Sequence, residues 1–305
     1  MKWVVNIGNR LKVKNDFIFK RIFGQDENKE ILISFLNAVL ELEPGSNKML
    51  DNLKIIVGVN LKKDGLDDKL GILDIMAKTI DGEQINIEIQ LINQYNMDKR
   101  TLFYWSKLYT DQLKQGQAFN VIKKTITINI LNFDYIDIES YYSVFHLWED
   151  KNKDCQLTDM LEIRFIELPK FRRAKADLSR QLDRWLLFID SSEGESDMVK
   201  NADPIIRKAE EILELLGSSD EVKRYYDARE KAIHDEITRT LGAREEGMEI
   251  GLAKGLAKGL EKGLEKGKEI EKIAIARNLI DILDDDVIAS KIGLSIDEVK
   301  KLRLQ

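Results

Sequence analysis

Cysteine is nearly missing from this chain: Cys155 is the single one, which excludes an internal disulfide framework and fits a reducing compartment. Histidine is almost as scarce. His146 has no second His, Cys or acid at ligand spacing, and both it and His234 read as structural residues. Positive charge is not in excess either. The formal net charge of −6 gives no global field that draws nucleic acid, so any such contact must come from local basic patches. No apolar run approaches the roughly 18 residues that span a bilayer. Residues 1–15 carry neither a long apolar core nor a small-residue cleavage site, so a cytoplasmic protein without membrane contact is expected.

What the chain does carry is an acidic hairpin. Residues 73–90 read LDIMAKTIDGEQINIEIQ, two short apolar runs joined by Asp81-Gly82, a pair that favours a tight turn. In the second run Ile85, Ile87 and Ile89 alternate with Asn86, Glu88 and Gln90, so a strand there buries its isoleucines and presents Glu88 and Gln90 together. Asp74 stands in the first run among Ile72, Leu73, Ile75 and Met76. A carboxylate in such a place is costly to bury unless it is paired, hydrogen-bonded or bound to a cation.

Two carboxylates on neighbouring strands can share a divalent ion. Magnesium favours carboxylate oxygens and keeps several waters when one or two acids hold it. The ion polarises a phosphoryl oxygen and helps produce hydroxide for in-line attack. Asp74, Glu88 and Gln90 in this spacing resemble the PD-(D/E)XK nuclease core, with glutamine where most such nucleases carry lysine. Glutamine is never cationic and transfers no proton. Whether Gln90 orients water, supports the transition state or marks a weakened enzyme stays open. The same spacing also suits two acids on the wet face of a half-solvated hairpin.

Around the hairpin the pattern alternates helix and strand. Asn15 or Asp16 caps a short helix carrying Phe17, Ile18, Phe19, Ile22 and Phe23, and a second stripe from Ile31 to Leu40 is stopped by Pro44-Gly45. Asp16 and Lys20 lie four apart; either they pair across one turn, or the helix sets Asp16 near the metal pocket. Residues 53–61 read as a strand and 62–69 as a charged turn. Residues 93–115 suit an amphipathic helix burying Leu102, Trp105, Leu108, Tyr109 and Leu113. Lys99 and Arg100 open it close to the end of the acidic strand, where Arg100 either grips a phosphate with two N–H groups or is simply solvated. Strands follow at 121–131, 141–148 and 161–168. The order predicts an α/β fold, a restriction-endonuclease-like mixed sheet flanked by helices. Residues 170–185 are the most basic local patch, with Arg172 and Arg173 either on a phosphate backbone or on a solvated helix face.

Downstream the chain is helical. Glycine recurs at 247, 251, 255, 259, 263 and 267, each costing close to ~1 kcal/mol in a helix relative to alanine. A period of four drifts about 40° per repeat around a helix, so a tether and a weak oligomer seam are both open. Residues 273–304 read as helix, Gly293 turn, Ser295 cap and helix, similar to a helix-turn-helix unit that binds DNA or protein.

Five ordered blocks then add up. KNDFIFKRIFG (14–24), NKEILISFLNAVL (28–40), the acidic hairpin, MDKRTLFYWSKLYTDQLKQG (97–116) and FIELPKF (165–171) resemble the Rpn family of recombination-promoting nucleases, also described as PD-(D/E)XK family transposases. The resemblance runs from about residue 11 to the C-terminus. It implies metal-dependent DNA endonuclease activity that promotes recombination, with Asp74, Glu88 and Gln90 as the active-site residues. Asp74 and Glu88 would hold the ion, magnesium first, with manganese or calcium as alternatives. Arg100, Lys99, Asp16, Lys20, Arg172 and Arg173 are the expected nucleic-acid contacts. The expected partition is a nuclease-like domain at 1–190, a helical extension at 191–244, a glycine-repeat linker or helix at 245–271 and a small helical tail at 272–305, which offers a route to homo-oligomers. The alternative is a degenerate nuclease fold that binds DNA or protein, motivated by Gln90 and the acidic net charge. Strand transfer is less expected, since no second catalytic constellation is visible.

Overall fold

The computed structural model describes residues 10–46, 48–57, 74–93, 95–190, 201 and 203–304. The charged turn expected at 62–69 lies outside the described residues, as do Ile72 and Leu73 ahead of Asp74. The chain forms two compact units, Met1–Asp235 and Glu236–Gln305.

In the first unit a mixed sheet holds β1 (Leu53–Val57), β2 (Ile75–Thr79), β3 (Gln84–Gln90), β4 (Thr125–Leu131), β5 (Tyr142–Trp148) and β6 (Gln156–Glu167) in the order β1-β2-β3-β4-β6-β5. The turn between β2 and β3 is closed by the Gly82 N–H donating to the Thr79 carbonyl at 3.0 Å, with Gly82 at φ 89°. That left-handed conformation is one a side chain resists. β3 and β4 run parallel, linked through α3 (Met97–Thr110), and β4 and β6 are parallel as well.

Isoleucine alternation decides the faces. Ile85, Ile87 and Ile89 of β3, with Ile126, Ile128 and Ile130 of β4, enter the main core. That core is closed by α1 (Asp16–Phe23), α2 (Lys29–Val39), α5 (Gln181–Asp190) and α6 (Pro204–Ser218), with α4 (Leu168–Arg173) adding Leu168 and Phe171. The Asn15 side chain caps α1, accepting from the Phe17 N–H at 3.1 Å. Behind α1 sits an aromatic cluster. Phe19, Phe23, Phe35, Trp185 and Phe188 are buried, with ring centres from 4.6 to 6.5 Å apart. Ile206, Ala209 and Leu213 of α6 join the same core, although the sequence places them in a separate helical extension.

The opposite face of the sheet is covered by α3. Its buried residues are Met97, Thr101 and Leu108, a stripe at spacings of four and seven. Leu102, expected inside, is about half exposed. The difference follows from the partner: this face of β3 and β4 offers Asn86, Glu88, Thr127 and Asn129, and Thr101 answers by donating its hydroxyl to Asn129 Oδ1 at 2.9 Å.

The helix α7 (Asp220–Leu279) begins within the first unit, at residues 220–235, and carries the glycine repeat in the second, so that segment is helical, and a Cβ added at Gly247, Gly251, Gly255, Gly259, Gly263 or Gly267 meets nothing within 4 Å. The tail forms α8 (Asp285–Ile292) and α9 (Ile296–Arg303), with Gly293 at φ 72° and Ser295 in a reciprocal capping box with Glu298. Ala276, Ile288, Ala289 and Val299 make its small core. No helix among the described residues is long and apolar enough to cross a membrane.

Candidate active site

The site grows from the register of the hairpin. Ile75 pairs with Ile87, so Asp74, one residue before β2, comes opposite Glu88 and on the same side of the sheet. Asp74 is then fixed by two contacts. Its Oδ2 accepts the Ile89 backbone N–H at 3.0 Å, and its Oδ1 lies 2.8 Å from the Lys20 ammonium of α1.

Glu88 is almost fully buried, at 2% exposure. Its Oε2 receives Gln90 Nε2 at 3.5 Å and lies 3.6 Å from Arg100 Nη2 of α3. Its Oε1 is buried and has no hydrogen-bond partner among the described residues. Burial above all, and then the neighbouring Asp74 charge, push the Glu88 carboxyl up from its ordinary 4.5 to about 7, against the opposing pull of Arg100. Gln90 is held from both ends, because its Oε1 also accepts from Arg100 Nη1 at 3.4 Å.

Asp74, Gln90 and Arg100 open into a cavity of about 380 Å³ that Asp16, Lys20 and Arg229 also line, while Glu88 lies buried behind its wall. Asp16 does not pair with Lys20 across one helical turn; it takes Arg229 of α7 at 2.7 Å, and that hydrogen bond holds the guanidinium more firmly charged. Three cations from three helices therefore surround two facing carboxylates. The sequence pattern pointed to Lys20 without placing its charge on Asp74, and Arg229 carried no signal, since its helix reads only as bundle.

The other expected contacts lie elsewhere. Lys99 is exposed on α3 and does not line this cavity. Arg172 is engaged by Asp190 at 2.6 Å and by Asn132, and Arg173 by Asp134 at 2.8 Å. A second polar depression of about 470 Å³ contains the buried Glu162, but Lys124 at 2.6 Å, Arg164 and His146 at 3.3 Å satisfy that carboxylate. Glu88 differs in keeping one oxygen free.

A divalent ion fits the Asp74–Glu88 pair on chemical grounds. The donors are hard oxygens, one of them is buried without a partner, and the Glu88 carboxyl, held above its ordinary value first by burial and then by the Asp74 charge, gains from a cation beside it. No group of three or more His, Cys, Asp or Glu side chains forms a ready-made cage among the described residues.

A search of curated proteins and one of solved structures returned no match. A family model described as a PD-(D/E)XK nuclease family transposase matches residues 13–241, which hold every side chain of this cavity, and the chain belongs to that nuclease family.

Proposed function

We propose that the chain is a divalent-metal-dependent DNA endonuclease that hydrolyses phosphodiester bonds and thereby promotes recombination. The observation that carries this reading is the buried Glu88 oxygen without a partner, beside an Asp74 that lines a cavity with Lys20, Arg100 and Arg229. Asp74 and Glu88 would hold the ion, magnesium first, and a bound ion supplies a polarised phosphoryl oxygen and an activated water. The chain's own residues provide the rest. Arg100 and Arg229 hold a phosphate by its non-bridging oxygens, Arg100 with the paired N–H geometry that suits it. Gln90, steered by Glu88 and Arg100, offers an amide to the attacking water or the phosphate.

Lys20 takes the duty that Gln90 cannot. Its ammonium, 2.8 Å from Asp74, brings a positive charge to the cavity from α1 instead of from β3. It stabilises the charge that develops as water attacks the phosphorus.

A second reading, DNA binding without turnover, draws on the same contact, since Lys20 already neutralises Asp74. Supercoiled plasmid incubated with the purified chain and magnesium or manganese separates the two. Nicking is expected, and Asp74→Ala and Glu88→Ala should each lower it at least about 100-fold. Variants that cut as well as wild type would remove the proposed centre.

A further inference from the structure

Arg100 faces two ways. On one side it reaches Glu88 and Gln90; on the other its guanidinium carbon stands 5.3 Å from the centre of the Tyr104 ring. Past it lies another cavity, of about 570 Å³, lined by Tyr95, Asn96, Lys99, Arg100, Phe103 and Tyr104. Three of these residues are aromatic and two are basic. Phe103 and Tyr104 meet edge to face with ring centres 5.7 Å apart. Tyr95 is 60% exposed and Phe103 40%.

Tyr104 packs against the buried Met76 and Leu108, but the core does not account for Tyr95 or Phe103. α3 buries Met97, Thr101 and Leu108, and leaves Phe103 toward water. Tyr95 is also set there against resistance. It and Asn96 hold φ of 60° and 57°, a left-handed pair that costs on the order of 1 kcal/mol or more per non-glycine residue.

We propose that this cavity takes an unpaired nucleobase of the DNA strand whose phosphate lies in the Asp74–Glu88 cleft, so that single-stranded or frayed DNA is the preferred substrate. This rests on reading that cleft as a DNA cleavage centre. Arg100 lines both cavities, which makes them neighbours along one strand. A base stacks on Tyr and Phe rings through its π faces, and Lys99 and Arg100 meet the phosphates on either side of it. The Asn96 amide offers a donor and an acceptor to a base edge. Two cations among the rings favour an anionic ligand over an apolar peptide. A base inside a duplex keeps its faces against its neighbours and cannot offer them without being extruded.

Binding by the full chain in metal-free buffer tests this. The probes are a labelled thymidine oligonucleotide of about twelve residues, a sugar-phosphate strand of equal length and charge lacking bases, and a duplex of the same length. Wild type is expected to prefer the base-bearing strand on the order of 10-fold over the baseless one. Phe103→Ala and Tyr95→Ala, both at exposed positions, should bring that preference close to unity, while Phe103→Trp keeps it. Equal binding of the two single strands by wild type, a preference unchanged in both alanine variants, or a duplex bound as tightly as the thymidine strand overturns the proposal. Plasmid nicking in a parallel reaction separates the two readings. Nicking without base preference sinks only the base site, and base preference without nicking sinks only the cleavage centre.

Discussion

Replacing Glu88 with glutamine gives the sharpest test of the site's electrostatics. The folded chain holds this carboxyl at about 7, against 4.5 for an ordinary glutamate. Between those values the folded state binds more protons than the unfolded state, so stability falls as pH rises through that window and is level above it. At roughly 1.4 kcal/mol per unit, the ionised carboxylate costs the metal-free fold about 3 kcal/mol at pH 8 and nothing near pH 4. Glu88→Gln removes the charge and keeps the shape. In chelator-treated protein the variant should therefore melt roughly 6–12 °C above wild type at pH 8, with the two converging as pH approaches 4.5. Millimolar magnesium at pH 8 should raise the wild-type midpoint and leave the variant's nearly unchanged, because the ion stabilises only the state that binds it. Calorimetry across pH, with and without the ion, measures both effects. Parallel melting curves at all pH values would refute the reasoning, and so would an equal magnesium response in the variant.

Three further outcomes follow from other contacts. Lys20→Met should lower plasmid nicking on the order of 100-fold, and Gln90→Met should lower it less; a gel assay giving the reverse order would return the lysine's duty to Gln90. Trp185→Ala, at a fully buried ring, should destabilise the first unit by about 3–5 kcal/mol in urea unfolding. Alanine at Gly251, Gly255, Gly259 and Gly263 should stabilise α7 by close to ~1 kcal/mol each and raise the melting point followed by helical circular dichroism, since each added Cβ enters open space. A fall in that melting point would mean that the glycines serve close helix packing.

Much of the site was legible because it depends on a two-residue period. Alternation at 84–90 sets Glu88 and Gln90 on one face and the Asp81-Gly82 turn brings Asp74 to the neighbouring strand; its place directly opposite Glu88 comes from the observed register, in which residues 80–82 and not the pair alone close the turn. The capping residues Asn15 and Ser295 also act as their types suggest. What pattern could not reach was pairing between distant segments. Lys20 and Asp16 satisfy the spacing of a helical pair, yet tertiary neighbours 54 and 213 positions away take them instead. The inward stripe of α3 slipped from Leu102 to Thr101 because its buried partner, Asn129, is polar, and periodicity reads apolar faces only. Arg229 is invisible for a related reason: on a helix rich in both charges, one arginine looks like any other until the fold brings it to Asp16.

The cleft draws on residues from Asp16 to Ile233, close to the whole first unit. A chain emerging from the ribosome has made its two acids long before the helix bearing Arg229 exists. Parallel pairing of β3 with β4 and of β4 with β6 adds contacts that close late. Nascent, truncated or half-folded copies thus lack the full set of groups, and the proposed centre exists only in a molecule that has finished folding its first unit.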